Sequence, residues 1–322
     1  MFDPKISNAT ALASILLWQR SMGKLRYHIA LIVANILFGV AFPVYVSLLK
    51  GAMQPAQLFS LQLIFSALIF TLPAIFHRNF FRLTLNDFGS IFIVALLVVF
   101  GWWYLLIEGA AHTNPIDAST ITTIGPIFTL ITSIIVHSRP AKWGEKIGIT
   151  LAISGVAVML YDRGRQLIGY SGEGYGNALV LCAVVAIAVN TVLIMPVLRR
   201  HGPIVVMGWY YIIGATIALP LLIREVSNIT TLQLSTKDWF EIGYILILGS
   251  ALAMYLLYSG AEHLTATHNA IYRYIQPIVA TIIAVTRGLS VIDRTNIVGA
   301  ALIFVGMLCV IISTPREVPT RE

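Results

Sequence analysis

Arg273 carries the most pointed chemistry in this sequence. It sits in Ile271-Tyr272-Arg273-Tyr274, inside an apolar run and four positions before Pro277. A charge at membrane depth costs ~2.5–3.5 kcal/mol on insertion scales, so an arginine there normally faces an aqueous cavity. Its planar guanidinium can grip a carboxylate or phosphate through two parallel hydrogen bonds, which makes it a docking point for an anionic group. The competing role is a side chain that snorkels to the nearer headgroups.

Glu108 and His112, with Asp117 beyond them, gather toward one end of the third apolar run. A carboxylate at a low-dielectric mouth can hold its proton near neutrality, which suits proton coupling. A solvated loop end is the simpler reading, and no second ligand set accompanies the spacing to suggest a metal. Pro126 and Pro277 stand near the middle of two other runs. Each removes a backbone donor and favours a kink, either a hinge or a static bend. Polar and aromatic side chains within apolar runs are further candidates for a substrate site: Asn35, Gln62, Tyr104, Asn190, Tyr210, Tyr255, Tyr258, Tyr272, Tyr274 and Gln276. Interhelical amide bonds in lipid average only about 0.6 kcal/mol, so each could equally be glue between helices. The Trp102-Trp103-Tyr104 run lies deep enough to supply cavity aromatics, with interface anchoring as the default.

Other chemistries are missing. No Gly-x4-Gly-Lys-Ser/Thr, His-Glu-x2-His, Gly-x-Ser-x-Gly or Cys-x2-Cys occurs, so neither a cofactor nor a metal is expected. The two cysteines, Cys182 and Cys309, lie inside apolar runs and set no disulfide framework. The net charge of +7 is spread between those runs rather than clustered with aromatics, which argues against nucleic acid.

Ten apolar segments must position these residues, near 29–49, 58–76, 89–107, 116–136, 147–161, 176–198, 204–223, 241–259, 266–286 and 296–313. With 58% of the chain hydrophobic and 11% charged, the surface must largely meet lipid, and each segment is read as a spanning helix. Residues 104–161 align without a gap on 255–312, with Tyr104, Gly109, His112, Pro126, Gly148 and Gly155 facing Tyr255, Gly260, His263, Pro277, Gly299 and Gly306. Tyr27 and Pro55 face Tyr175 and Pro203 in the same way. Each copy then holds five spans: 28–161 and 175–314, joined by 162–174, with an N-terminal segment 1–27 and a tail 315–322. A second copy that follows an odd number of crossings enters from the opposite face, so the two are inverted. Lys and Arg favour both termini in the cytoplasm, as in a bacterial inner membrane.

Ten spans in two five-span halves resemble the EamA-type exporters of the drug/metabolite transporter superfamily. The resemblance rests on Tyr-Leu-Leu-x2-Gly-Ala ahead of Pro126 and Pro277, on Gly148-x6-Gly155 and Gly299-x6-Gly306, and on Phe38-Gly39 where such proteins often carry Trp-Gly. Where the family often has Gly-Glu after the fourth and ninth spans, this chain reads His137-Ser138-Arg139-Pro140 and Arg287-Gly288-Leu289-Ser290; where it often has an Arg in the second span, this chain has Gln62. The resemblance therefore implies architecture and export, and no substrate class is taken from it.

The sequence thus reads as an all-α membrane carrier, not an enzyme, with ten helices in two inverted repeats. It would move a small metabolite or drug-like solute by alternating access. The solute would sit between the halves, against Arg273, Tyr272, Gln276, Asn190, Asn35, Tyr104, Tyr255 and Tyr258. Glu108 and His112 are candidates for proton coupling, Pro126 and Pro277 for hinges. The partners are a small solute, for which Arg273 suits a carboxylate or phosphate, and the bilayer; a homodimer is compatible. An intramembrane enzyme built on Glu108, His112 and Asp117 is the first rival, and a solute channel the second.

Overall fold

Pro55, Pro115 and Pro203 each open a helix, where a missing N–H breaks no intrahelical bond. Between such starts the chain is helical. The computed structural model describes residues 4–164, 172–229, 232–264 and 271–313, and no strand occurs among them.

Helix α1 runs Pro4–Leu49, with its apolar part at Leu25–Leu49. α2 covers Pro55–Ile75. Next, α3 (Leu85–Ala95), a π-helical stretch (Leu96–Tyr104) and α4 (Leu105–Ala111) form one rod of 27 residues. α5 (Pro115–Thr122) and α6 (Gly125–Val136) share a second rod, and α7 is Trp143–Gly164. Then come α8 (Glu173–His201), α9 (Pro203–Ile217) and α10 (Leu219–Ile229). A further rod joins α11 (Thr236–Gly243), a second π-helical stretch (Tyr244–Leu252) and α12 (Ala253–His263). α13 (Ile275–Thr286) and α14 (Arg294–Ser313) complete the series.

Seven of these helical stretches are long and apolar enough to cross a membrane. An eighth is the pair α9–α10, bent by 75° at Ala218 just before Pro220. The seventh segment read from sequence, 204–223, is therefore broken rather than straight. α13 has only 12 residues; part of the ninth segment, 265–270, lies outside the described residues. α7 carries Glu145, Lys146, Asp162 and Arg163 toward its ends.

The two halves echo each other in local chemistry. Thr84 caps α3 by accepting the Asp87 N–H, and Ser235 caps α11 by accepting that of Asp238. Each of these rods then passes through a π-helical stretch, a local widening that re-aims side chains. The rods before Pro126 and Pro277 are both interrupted by tight turns, with Ile124 N–H bonding Ile121 O and Tyr274 N–H bonding Ile271 O.

Packing crosses the halves. α1 lies against α12 and α13, α2 against α9, and α7 against α14. The last pair meets backbone to backbone, because a β-carbon on Gly155 would come 2.7 Å from the Gly299 carbonyl oxygen. Apolar side chains such as Leu68, Leu72, Ile282 and Leu308 remain exposed on the outer surface, as contact with lipid requires.

Candidate functional site

Where α1, the first π-helical rod, α8, α12 and the break before α13 converge, they enclose a narrow cavity of about 20 Å³, room for roughly one water. Arg273 and Gln276 enter it from the broken rod, Phe38, Phe42 and Tyr45 from α1, Trp102 and Trp103 from the π-helical stretch, and Met254 and Leu257 from α12. Arg273 stands in the turn of the break, so its side chain leaves a backbone that is not continuous helix. Its guanidinium packs against Gly125, the first residue of α6. Among the described residues it makes no ion pair or hydrogen bond, and no acidic side chain lines the cavity. An unpaired guanidinium thus stands beside five aromatic side chains, in a cavity too small for a solute as it stands.

The neighbouring amides are largely engaged with the protein. Gln276 Nε2 donates to Asn35 Oδ1 at 2.6 Å, and Gln276 Oε1 accepts from Thr122 at 3.3 Å. Asn35 Nδ2 in turn donates to the Leu31 carbonyl at 2.7 Å. This chain ties α1, α5 and α13 together behind Arg273. Tyr45 donates to Gln62 Oε1 at 3.0 Å, and Asn190 Nδ2 donates to Tyr258 at 3.2 Å. Several buried polar atoms close by lack a partner, among them Gln62 Nε2, the Trp102 indole N–H and Asn190 Oδ1. Each such group costs about 1–3 kcal/mol while it stays unpaired, so the closed cavity is held at some polar expense.

Sequence and structure place the other candidates differently. Tyr272 turns away, its hydroxyl 2.9 Å from His28 Nδ1. Tyr104 packs edge-on against Phe59 and does not line the cavity. Tyr255 lines a wider recess of about 460 Å³ that opens where α1 begins its apolar run, together with Arg26, Tyr27, His77, His201, Glu262 and His263. Glu108 and His112 pair with each other at 3.5 Å, partly exposed at the opposite, far end. Pro126 and Pro277 lie directly after the two breaks, in the first turns of α6 and α13.

Two readings from sequence change. Trp102 and Trp103 are not interface anchors: they are 7% and 3% exposed and both line the cavity. Nor is Asp117 a solvated loop end. It is 1% exposed, accepts from Asn177 at 3.0 Å and from Asn296, and Thr113 donates to Asn177. That network fastens α5, α8 and α14 at the far end. At the recessed end, Arg200 and His201 of α8 both reach Asp87 of α3, at 2.7 and 3.1 Å. Sequence reasoning missed this pairing because the residues are more than a hundred positions apart; the Asp at a capped helix start was the available signal.

The family model of the EamA-like transporter family matches twice, at residues 25–161 and 174–312. The uncharacterized transporter YetK of Bacillus subtilis is 24% identical over 253 residues, 78% of this chain and 74% of that one. The S-adenosylmethionine uptake transporter of Rickettsia prowazekii is 21% identical over 233 residues, 70% of this chain and 73% of that one. A solved structure titled "Crystal structure of protein" superposes with a TM-score of 0.59 at 15% identity, over 88% of this chain and 96% of that one, a likeness of fold.

Proposed function

Because the chain belongs to the EamA-like transporter family, we propose that this integral membrane protein is a secondary active carrier that moves a small solute by alternating access. The observation that carries the reading is Arg273, an unpaired cation in a closed cavity between helices of both halves. In this reading ten crossings form two inverted five-helix units, the units being 28–161 and 175–314, with α7 and α13 counted among the spans. The recess beside Tyr27 and His263 is then one entrance. The polar network around Asp117 closes the other. In this reading the side on which the recess opens is the cytoplasm of a bacterial inner membrane, and both termini belong there.

Arg273 docks a carboxylate or phosphate of the solute, and Gln276 flanks it. Asn35 supports Gln276 rather than touching solute, since both its amide ends are already bonded. Glu108 with His112, at the far mouth, is the proton-coupling candidate, and Pro126 and Pro277 border the two segments able to flex. Export is the expected direction; the similarity to an uptake transporter leaves it to be set by the gradient. An intramembrane enzyme gains little support, because Glu108 and His112 line neither cavity.

Counterflow in proteoliposomes tests the carrier. Vesicles loaded with unlabelled solute should accumulate labelled solute transiently, with saturation. Flux that never saturates and shows no counterflow would instead mark a channel.

A further inference from the structure

The charges and donors around the cavity allow its solute class to be narrowed, on the premise that the carrier reading above holds. We propose that the cavity takes a net-anionic organic acid with an apolar, ring-bearing body and no ammonium group.

Three observations support this. First, Arg273 brings a positive charge that nothing in the described protein neutralises, and no Asp or Glu lines the cavity. A zwitterion or amine would place its ammonium beside that guanidinium without a carboxylate to receive it, and like charges in a low-dielectric site repel strongly. Second, the amide oxygen on the lining, Gln276 Oε1, is neutral and already faces the Thr122 hydroxyl at 3.3 Å, so it cannot balance the charge of an ammonium. The unpaired acceptor nearby, Asn190 Oδ1, belongs to a side chain outside the lining. Third, the walls are Phe38, Phe42, Tyr45, Trp102 and Trp103, wide faces suited to a flat apolar body. The indole N–H of Trp102 is buried and unpaired in this closed form. It is a donor only, and opening of the cavity around an acceptor would satisfy it.

Aromatic walls can also hold a cation face-on, so the opposite outcome is chemically open to test. The experiment compares three solutes that share one ring and differ only in the head: indole-3-acetate, tryptophan and tryptamine. Binding is read in detergent by thermal shift and by quenching of intrinsic tryptophan fluorescence, and counterflow is read in proteoliposomes. The acid should stabilise the protein and exchange saturably, tryptophan at least roughly tenfold more weakly, and tryptamine not at all. Acetate and inorganic phosphate, which lack a ring, should bind more weakly than indole-3-acetate.

Arg273→Lys and Trp102→Phe guard against loss of fold. The first keeps the charge and loses the two-pronged grip; the second keeps the ring and loses the donor. Each should raise the dissociation constant of the acid about tenfold while detergent stability without ligand stays at the wild-type value. Equal or stronger binding of tryptophan or tryptamine overturns the proposal. So does the absence of any saturable effect of the acid. In either case saturable counterflow of some other solute would leave the carrier itself standing, whereas absence of counterflow with every solute would remove the carrier reading.

Discussion

Arg273 and Gly125 meet at the centre of the molecule: a β-carbon on Gly125 would stand 3.3 Å from the Arg273 Nη1 atom. Gly125 opens α6, directly after one interrupted rod, and Arg273 lies within the interruption of the other. The two breaks therefore touch through a charged side chain. Irregular backbone at membrane depth is tolerated where it lines a cavity, and in carriers such breaks mark the solute site.

Gly125→Ala should crowd that guanidinium without unfolding the protein, because the nearest atom is the end of a flexible side chain. The expected result is a several-fold weaker affinity for solute with unchanged detergent stability. Binding isotherms for the two proteins would show it. An unchanged affinity would mean that Arg273 swings clear of Gly125 when solute arrives.

Asn35→Leu should cost stability rather than affinity. It leaves the Gln276 Nε2 donor, now bonded at 2.6 Å, without its buried acceptor, a loss of about 1–3 kcal/mol. A lower melting temperature with a near wild-type KM is expected from parallel thermal and transport assays. A large rise in KM alone would place Asn35 in contact with solute.

The α7–α14 crossing should be intolerant of any larger residue. Gly155→Leu would drive side-chain atoms into the Gly299 carbonyl and Ile303, and overpacking of this sort typically costs about 1–3 kcal/mol. Gly89, which has open space beside it, is the matched control. Gly89→Leu should express and melt like the wild type, and Gly155→Leu should not.

Asp117→Ala should loosen the far end. The carboxylate now accepts from Asn177 on α8 and Asn296 on α14, and its loss leaves both amides short of an acceptor. A cysteine placed at Thr113, buried in the same network, should then react faster with a membrane-impermeant thiol reagent. Labelling at the same rate with and without Asp117 would show that this network does not hold the far mouth closed.

Much of the architecture was readable because Gly and Pro leave backbone signatures. Gly148 and Gly155 mark a helix crossing, and Pro126 and Pro277 mark the two breaks to within a residue or two. The depth of Arg273 in an apolar run pointed to a side chain that the structure places on the cavity wall. What stayed hidden depends on three-dimensional facing. The π-helical stretches have no sequence signature, and only the packed structure decides between the cavity and interface roles open to Trp102 and Trp103. Tyr272, next to Arg273, meets His28 instead and does not line the cavity. Asp117 lay near a proline and a loop, so only the packing of α8 and α14 over it reveals its burial.

The most direct test is counterflow of one labelled solute through wild type, Arg273→Lys and Arg273→Ala, reconstituted at equal density. Wild type should exchange saturably, the lysine variant at a reduced rate with raised KM, and the alanine variant not at all, all three being equally well inserted. Exchange by Arg273→Ala at the wild-type rate and KM would contradict this expectation.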